Sequence, residues 1–205
     1  VICCSESECK AFKKIGIEKA SFINNSCPPL AKRSSSVRIN DKFLIISSGR
    51  MTYQKNPEMF QAIAKHFAGW KNVEFLWIGG GEREDEFCTE NLSATGWVNQ
   101  SQVAEIMVSA DIYVSTSRWE GLPISVLEAM SLGMPLLLSD CVGNCDCVRG
   151  NGFLFRSFEE AAFFLEKMIL DEELRDRQKY ASISLYRQEF SMEKLLRAYR
   201  SLYEK

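Results

Sequence analysis

Residues Ile112–Ser139 read IYVSTSRWEGLPISVLEAMSLGMPLLLS, and the way this stretch divides decides the fold. It opens and closes on short apolar runs, Ile112–Ser115 and Leu136–Ser139, each of strand length. Between them Pro123 suits the first turn of a helix, Gly133 is a C-terminal stop and Pro135 forbids continuation, so a helix is expected over about Pro123–Leu132. Working outward, the same alternation recurs. Further strands are expected at Phe43–Ser47, Val73–Ile78 and Ser93–Thr95, with helices near Asn56–Phe67 and Gln100–Ser109 and a short one after Gly81. Apolar runs alternating with helix-period segments are the pattern of an α/β fold, a Rossmann-like parallel sheet with helices on both faces.

Outside this block the pattern changes. Phe158–Lys205 has no strand signal and reads as two or three amphipathic helices, a helical C-terminal tail. At the other end a strand at Val1–Cys4, a helix from about Glu6 to Ile15 and a strand at Ser21–Asn24 form a small unit that ends where Cys27-Pro28-Pro29 breaks regular structure. The polar, serine-rich stretch that follows reads as a linker. The expected organisation is therefore a small unit at residues 1–30, a linker at 31–41 and the main domain at 42–205.

Composition excludes several classes of function. The chain has 205 residues, 46% of them hydrophobic and 25% charged, which is ordinary for a globular protein able to bury its own core. Its formal charge is −2 with cations and acids interspersed, so no basic stripe exists to hold a phosphate polymer and nucleic acid is not an expected partner. Apolar stretches are strand-sized, far short of the roughly 20 residues that a spanning helix needs. The eight cysteines have no CxxC spacing and read as reduced, cytosolic thiols, and with one histidine in the chain no metal site is expected. Val1 is not an initiator methionine, and the chain reads as a piece of something longer.

In an open α/β sheet ligands bind outside the carboxyl ends of the strands, so chemistry is sought in the loops that follow them. After the first main strand, Gly49-Arg50 and Lys55 place two cations just before a helix N-terminus, which suits a diphosphate clamp or two solvated charges. After the next, Gly79-Gly80-Gly81 permits close backbone approach, to a ligand or within a turn, but Glu84 stands where a dinucleotide fingerprint needs glycine. The loop after Ile112–Ser115 carries Glu120, and the helix beyond carries Glu128 among apolar neighbours. A sheltered carboxylate there requires hydrogen-bond donors, such as ribose hydroxyls or a structural cation. Asp140–Val148 has two small turns that either close over a sugar or reverse the chain.

Together these segments resemble the retaining GT-B glycosyltransferases known as glycosyl transferases group 1. The resemblance covers about Phe43 to Phe155. Its most specific part is Glu120-Gly121-Leu122-Pro123 through Glu128-Ala129-Met130, two glutamates with seven residues between. Gly49-Arg50 with Lys55, Ile78-Gly79-Gly80-Gly81, Gly96-Trp97-Val98, Ala110-Asp111, Gly133-Met134-Pro135 and Asn151-Gly152 support it in order and spacing. It implies the donor half of an active site, cut from the acceptor-binding domain that precedes it, with residues 1–30 as the end of that domain and the hinge. Arg50, Lys55 and Glu120 would be catalytic, the two cations on the donor diphosphate and Glu120, with Gly121 and Leu122, on the donor sugar. Glu128 would bind ribose, backbone amides of Val126 and Leu127 would face the phosphates, the base would lie near Trp97 and Val98, and Gly49, Gly79 and Gly80 would line the pocket. The implied substrate is a nucleotide-sugar, with a lean to a UDP-sugar. No cofactor or metal is implied, since the cations do a metal's electrostatic work. The implied acceptor is a glycan or lipid-linked molecule held by the missing domain. The family setting is bacterial surface polysaccharide synthesis in the cytoplasm, with peripheral association at the inner membrane face. Two rivals share parts of this pattern, a GT-B epimerase and a non-catalytic nucleotide-sugar-binding module. His66 matches no family position and is expected at the surface.

Overall fold

The computed structural model describes residues 1–30, 42–81 and 87–204. The expected linker at 31–41 and most of the short helix expected after Gly81 lie outside the described residues. Six strands, β3 (Phe43–Ser48), β4 (Val73–Ile78), β5 (Leu92–Ala94), β6 (Ile112–Ser115), β7 (Leu136–Ser139) and β8 (Gly152–Phe155), form one parallel sheet in the order β5-β4-β3-β6-β7-β8. That is the doubly wound order of a Rossmann-like fold. Strand order reverses between β3 and β6, and the crevice above their carboxyl ends is where such a sheet receives ligands. The edge strand β8 was not expected from the sequence. Its apolar run, Phe153-Leu154-Phe155, is too short to stand out from the loop before it.

Strand alternation sorts the core onto two faces. Ile46, Tyr113, Leu136 and Leu138 point to one side, where they meet Val126, Leu127 and Met130 of helix α4 (Ile124–Leu132). Ile45, Ile112, Val114 and Leu137 point to the other, against Phe60 and Ile63 of α2 (Pro57–His66) and Leu165 and Met168 of α5 (Phe158–Leu170). Helix α3 (Gln100–Ser109) starts in a reciprocal capping box between Asn99 and Gln102. Pro123, expected in the first turn of α4, instead caps it from an extended conformation. Gly133 ends it at φ +80°, a left-handed conformation that favours glycine, with Ile183 packed close against it.

The tail forms α5, α6 (Glu172–Glu189) and α7 (Met192–Tyr203). Helix α6 lies along α4, with Ser182 Oγ donating to the Met134 carbonyl at 2.7 Å. The N-terminal unit is a separate two-stranded parallel sheet, β1 (Ile2–Cys3) beside β2 (Ser21–Phe22), with α1 (Glu6–Lys14) as its crossover. Between this unit and the main sheet, residues 25–30 are tied to the helical layer. Asn25 Nδ2 donates to the Leu122 carbonyl at 3.3 Å, Ser26 Oγ to the Phe190 carbonyl at 2.6 Å, and the Leu30 amide to Ser131 Oγ at 3.1 Å. Tyr186 completes the seam, its phenol donating to the buried Cys27 carbonyl at 2.6 Å. No helix among the described residues is long and apolar enough to cross a membrane.

Removing only that phenolic oxygen leaves a buried carbonyl without its donor, at a cost of about 1–3 kcal/mol. Tyr186→Phe is therefore expected to lower the unfolding free energy by that much, read as a lower urea midpoint at an unchanged slope, whereas the exposed Tyr180→Phe is expected to change nothing. A neutral Tyr186→Phe would show that the seam carries no stability.

Candidate active site

The site is built from the loops that follow β3 and β6, the two strands at the reversal. Gly49 leaves β3 at φ +139° with its amide on the Ile78 carbonyl at 2.9 Å, while its own carbonyl accepts from Trp77 Nε1 at 2.8 Å. Gly79 lies directly against it, where a Cβ would stand 2.2 Å from the Gly49 oxygen. The glycine turn after β4 is thus required by close approach of two backbones within the protein. Gly80 accepts the Met51 amide at 3.0 Å and completes the junction of the loops after β3 and β4.

Across the reversal, Lys55 Nζ donates to Glu120 Oε1 at 2.6 Å, and Ser117 Oγ donates to the same oxygen at 2.7 Å. Both charged side chains are sheltered, Lys55 at 22% exposure and Glu120 at 9%. Thr116, at the end of β6, donates its hydroxyl to the carbonyls of Lys55 and Asn56, both at 2.9 Å, so the cation's backbone hangs from the strand beside the acid. The Glu120 amide donates in turn to the Val142 carbonyl at 3.0 Å, tying the acid to the loop after β7. Buried Asn144 holds that loop through Nδ2 contacts to Ser115 and Ser139.

Beneath the pair sits Tyr113, wholly buried on β6. Its hydroxyl is 3.1 Å from Ser48 Oγ at the end of β3 and 2.8 Å from Ser125 Oγ in the first turn of α4. Burial raises its pKa, and the nearby Lys55 charge acts in the opposite direction. The first turn of α4 therefore points at the crevice between β3 and β6. Its unsatisfied amides are a standing attraction for an anion.

Several expected site residues land elsewhere than the sequence suggested. The amides of Val126 and Leu127 are committed to the Pro123 carbonyl, at 3.1 and 3.2 Å, which leaves those of Ile124 and Ser125 as the first-turn donors without an intrahelical acceptor. The Val126 and Leu127 side chains are core, as is Leu122. Gly121 faces the N-terminal unit, where a Cβ would meet Cys4 Sγ at 2.6 Å. Arg50 is exposed beside Gly49 and pairs with no described residue. Trp97 is 72% exposed and Val98 packs its side chain on the core, both on the loop after β5, apart from the charged pair in the sheet order. Exposed His66 stacks edge-on with Phe158. The sequence reading missed Thr116, Ser117, Tyr113 and Ser125. The one available signal was the run of hydroxyl residues Ser115-Thr116-Ser117 at a strand end, where solvent would serve as well.

The model of the family described as "Glycosyl transferases group 1" matches residues 31–184. The chain belongs to this family. It is 31% identical to the O-antigen biosynthesis glycosyltransferase WbnH of Escherichia coli over 98% of the chain and 58% of that protein. It is 28% identical to the amylovoran biosynthesis glycosyltransferase AmsD of Erwinia amylovora over 77% of the chain and 48% of the relative. The chain thus spans about half the length of these curated relatives. Among solved structures, Anabaena HepE in complex with UDP and glucose superposes with a TM-score of 0.86 at 19% identity, covering 100% of this chain and 62% of that one. S. aureus TarM, in a complex that includes UDP, gives 0.86 at 19% identity over 100% and 44%. These solved structures share the fold, since the match extends over the whole chain.

The second glutamate of this family member, Glu128, sits half-buried on α4. Among the described residues its side-chain partner is Gln100, and no cation pairs with it. Burial raises its pKa, and the Gln100 hydrogen bond only partly opposes that. Folding therefore costs the ionised form something that a neutral side chain would not lose. A carboxyl group whose pKa is higher folded than unfolded destabilises the fold above the folded pKa, and the cost disappears below the unfolded one. Glu128→Gln is accordingly expected to raise the melting temperature at pH 7–8, with the gain shrinking as pH falls toward the ordinary glutamate range of about 4.3. A loss of stability at neutral pH would instead mark Glu128 as a structural acid.

Proposed function

We propose that this chain is the donor-binding half of a retaining glycosyltransferase that takes a sugar from a nucleotide-sugar, a UDP-sugar in the first instance. The observation that carries the reading is the sheltered Lys55–Glu120 pair at the strand reversal, beside the open first turn of α4 and one helix turn before half-buried Glu128, which no described cation pairs. A cation, an anion-attracting helix terminus and two sheltered acids able to accept hydroxyl donors match the parts of a nucleoside diphosphate sugar. Lys55, Arg50 and the Ile124 and Ser125 amides take the diphosphate, Glu128 the ribose hydroxyls and Glu120 the sugar hydroxyls. As the glycosidic bond breaks, negative charge grows on the departing diphosphate, and fixed cations and amides aimed there stabilise it more than they stabilise the intact donor. On this reading those groups supply the positive charge that a metal provides elsewhere.

Before donor arrives, Glu120 stands in for the diphosphate on Lys55. Exchange is inexpensive because the released carboxylate keeps Ser117 Oγ and gains the hydroxyls of the sugar. Residues 1–30 are the end of the acceptor-binding domain and its hinge, and the remainder of that domain brings a glycan or lipid-linked acceptor to the crevice. The names of the Escherichia coli and Erwinia relatives, in O-antigen and amylovoran biosynthesis, support a place in polysaccharide assembly; the cytoplasmic face of the membrane is part of the proposal.

The two acids are expected to respond differently in calorimetry with UDP and a matched UDP-sugar. Glu128→Gln is expected to weaken both ligands by about 1.5–3 kcal/mol, the worth of hydrogen bonds to a charged group. Glu120→Gln, by releasing Lys55, is expected to bind UDP as tightly as the parent or more so, while the preference for UDP-sugar over UDP shrinks. Equal losses of both ligands at Glu120 would place it on the nucleotide and contradict the division of labour.

A further inference from the structure

Arg118 lies two residues before Glu120 and was not singled out by its sequence context. Its contacts converge on the segment that carries Lys55. The Arg118 amide donates to the Gln54 carbonyl at 2.8 Å, Nε to the Tyr53 carbonyl at 3.1 Å, and Nη2 to Asn56 Oδ1 at 3.0 Å. The guanidinium lies over the Tyr53 ring, 4.3 Å from its centroid, and Gln54 Nε2 returns a bond to the Trp119 carbonyl at 2.9 Å. Thus the residues on both sides of Lys55 are held by the loop that bears Glu120.

Asn56 shows what this arrangement displaces. It occupies the cap position of α2 at φ +52°, φ/ψ in the left-handed region that asparagine tolerates better than most residues. An asparagine at a cap ordinarily turns its side-chain oxygen onto the amides of the first turn. Here it makes no such bond, and the oxygen is given to Arg118 instead. A planar guanidinium serves two acceptors at once in a fixed fork, which an ammonium cannot.

We propose that Arg118 is a positioning residue for the donor diphosphate, acting through Lys55 by bracing residues 53–56 against the Glu120 loop; this rests on the reading of Lys55 as a diphosphate ligand. With the brace removed, the lysine must be ordered at the moment of binding, and affinity falls although no contact to the ligand has been lost.

A double-mutant cycle with UDP as the calorimetric probe tests this. Arg118→Ala is expected to weaken UDP about tenfold, equivalent to ~1.4 kcal/mol. Arg118→Lys is expected to do the same, and the loss is expected to vanish in a Lys55→Ala background, where there is no lysine left to position. Melting temperatures of the two Arg118 single variants, with Arg118 exposed, are expected to stay near the parent's, and the double variant's near that of Lys55→Ala alone. Restoration by Arg118→Lys together with a loss that persists without Lys55 would overturn the proposal, because it would make Arg118 a direct ligand of the phosphates. A parent-like Arg118→Ala beside a weakened Lys55→Ala would also overturn it while leaving the diphosphate reading intact. Parent-like binding by Lys55→Ala would instead overturn the diphosphate reading itself.

Discussion

A lysine and a glutamate 65 residues apart in sequence meet at 2.6 Å because strand order reverses between β3 and β6. The reversal splays the loops after these strands apart and opens a crevice, and the ion pair is the charged contact among the bonds that bridge it. Such a pair is worth forming only where its desolvation is offset by further hydrogen bonds. Here Ser117 supplies one to the acid, and the hydroxyl of Thr116 fixes the backbone from which the lysine extends. The result is a sheltered cation whose partner in this structure is Glu120, and on the proposed function an incoming diphosphate takes that partner's place.

The rest of the molecule keeps those two loops where they are. Gly49 and Gly79 stack backbone on backbone, so the loop after β3 rests on the loop after β4 with no room for a side chain. Gly143 also packs on backbone, where a Cβ would stand 2.6 Å from the Gly121 oxygen, and its amide donates to Ser7 Oγ at 2.8 Å, which joins the acid's loop to the N-terminal unit. On the opposite side, α6 presses on the end of α4, and through Tyr186 and Phe190 it holds residues 25–30 against the same layer. Motion of the N-terminal unit would therefore be felt at Gly121 and Gly143, the two glycines that flank Glu120 in space.

The sheet was legible because its signals are local. Ile112–Ser115, Val73–Ile78 and Leu136–Ser139 are apolar runs bounded by turn residues, and Gly133 and Pro135 fixed the end of α4. Where the signal was short it failed, as at β8. The charged residues of the site were legible as well, since Arg50, Lys55, Glu120 and Glu128 stand out by type and spacing. What could not be read was which groups they meet. Val126 and Leu127 looked like amide donors until the Pro123 carbonyl proved to satisfy them, and Gly79 looked like room for a ligand until the Gly49 oxygen filled it. Arg118 meets the loop after β3, and Tyr113 meets Ser48 of β3 and Ser125 of α4; no spacing along the chain encodes those contacts.

The central claim is that the diphosphate takes the place of Glu120 on Lys55. A crystal structure of the chain with UDP tests it most directly. The account predicts UDP over the carboxyl ends of β3 and β6, with Lys55 Nζ moved from Glu120 to a phosphate oxygen and the ribose hydroxyls on Glu128. UDP bound elsewhere, or bound there with the 2.6 Å Lys55–Glu120 pair unbroken and no phosphate on the lysine, would contradict it.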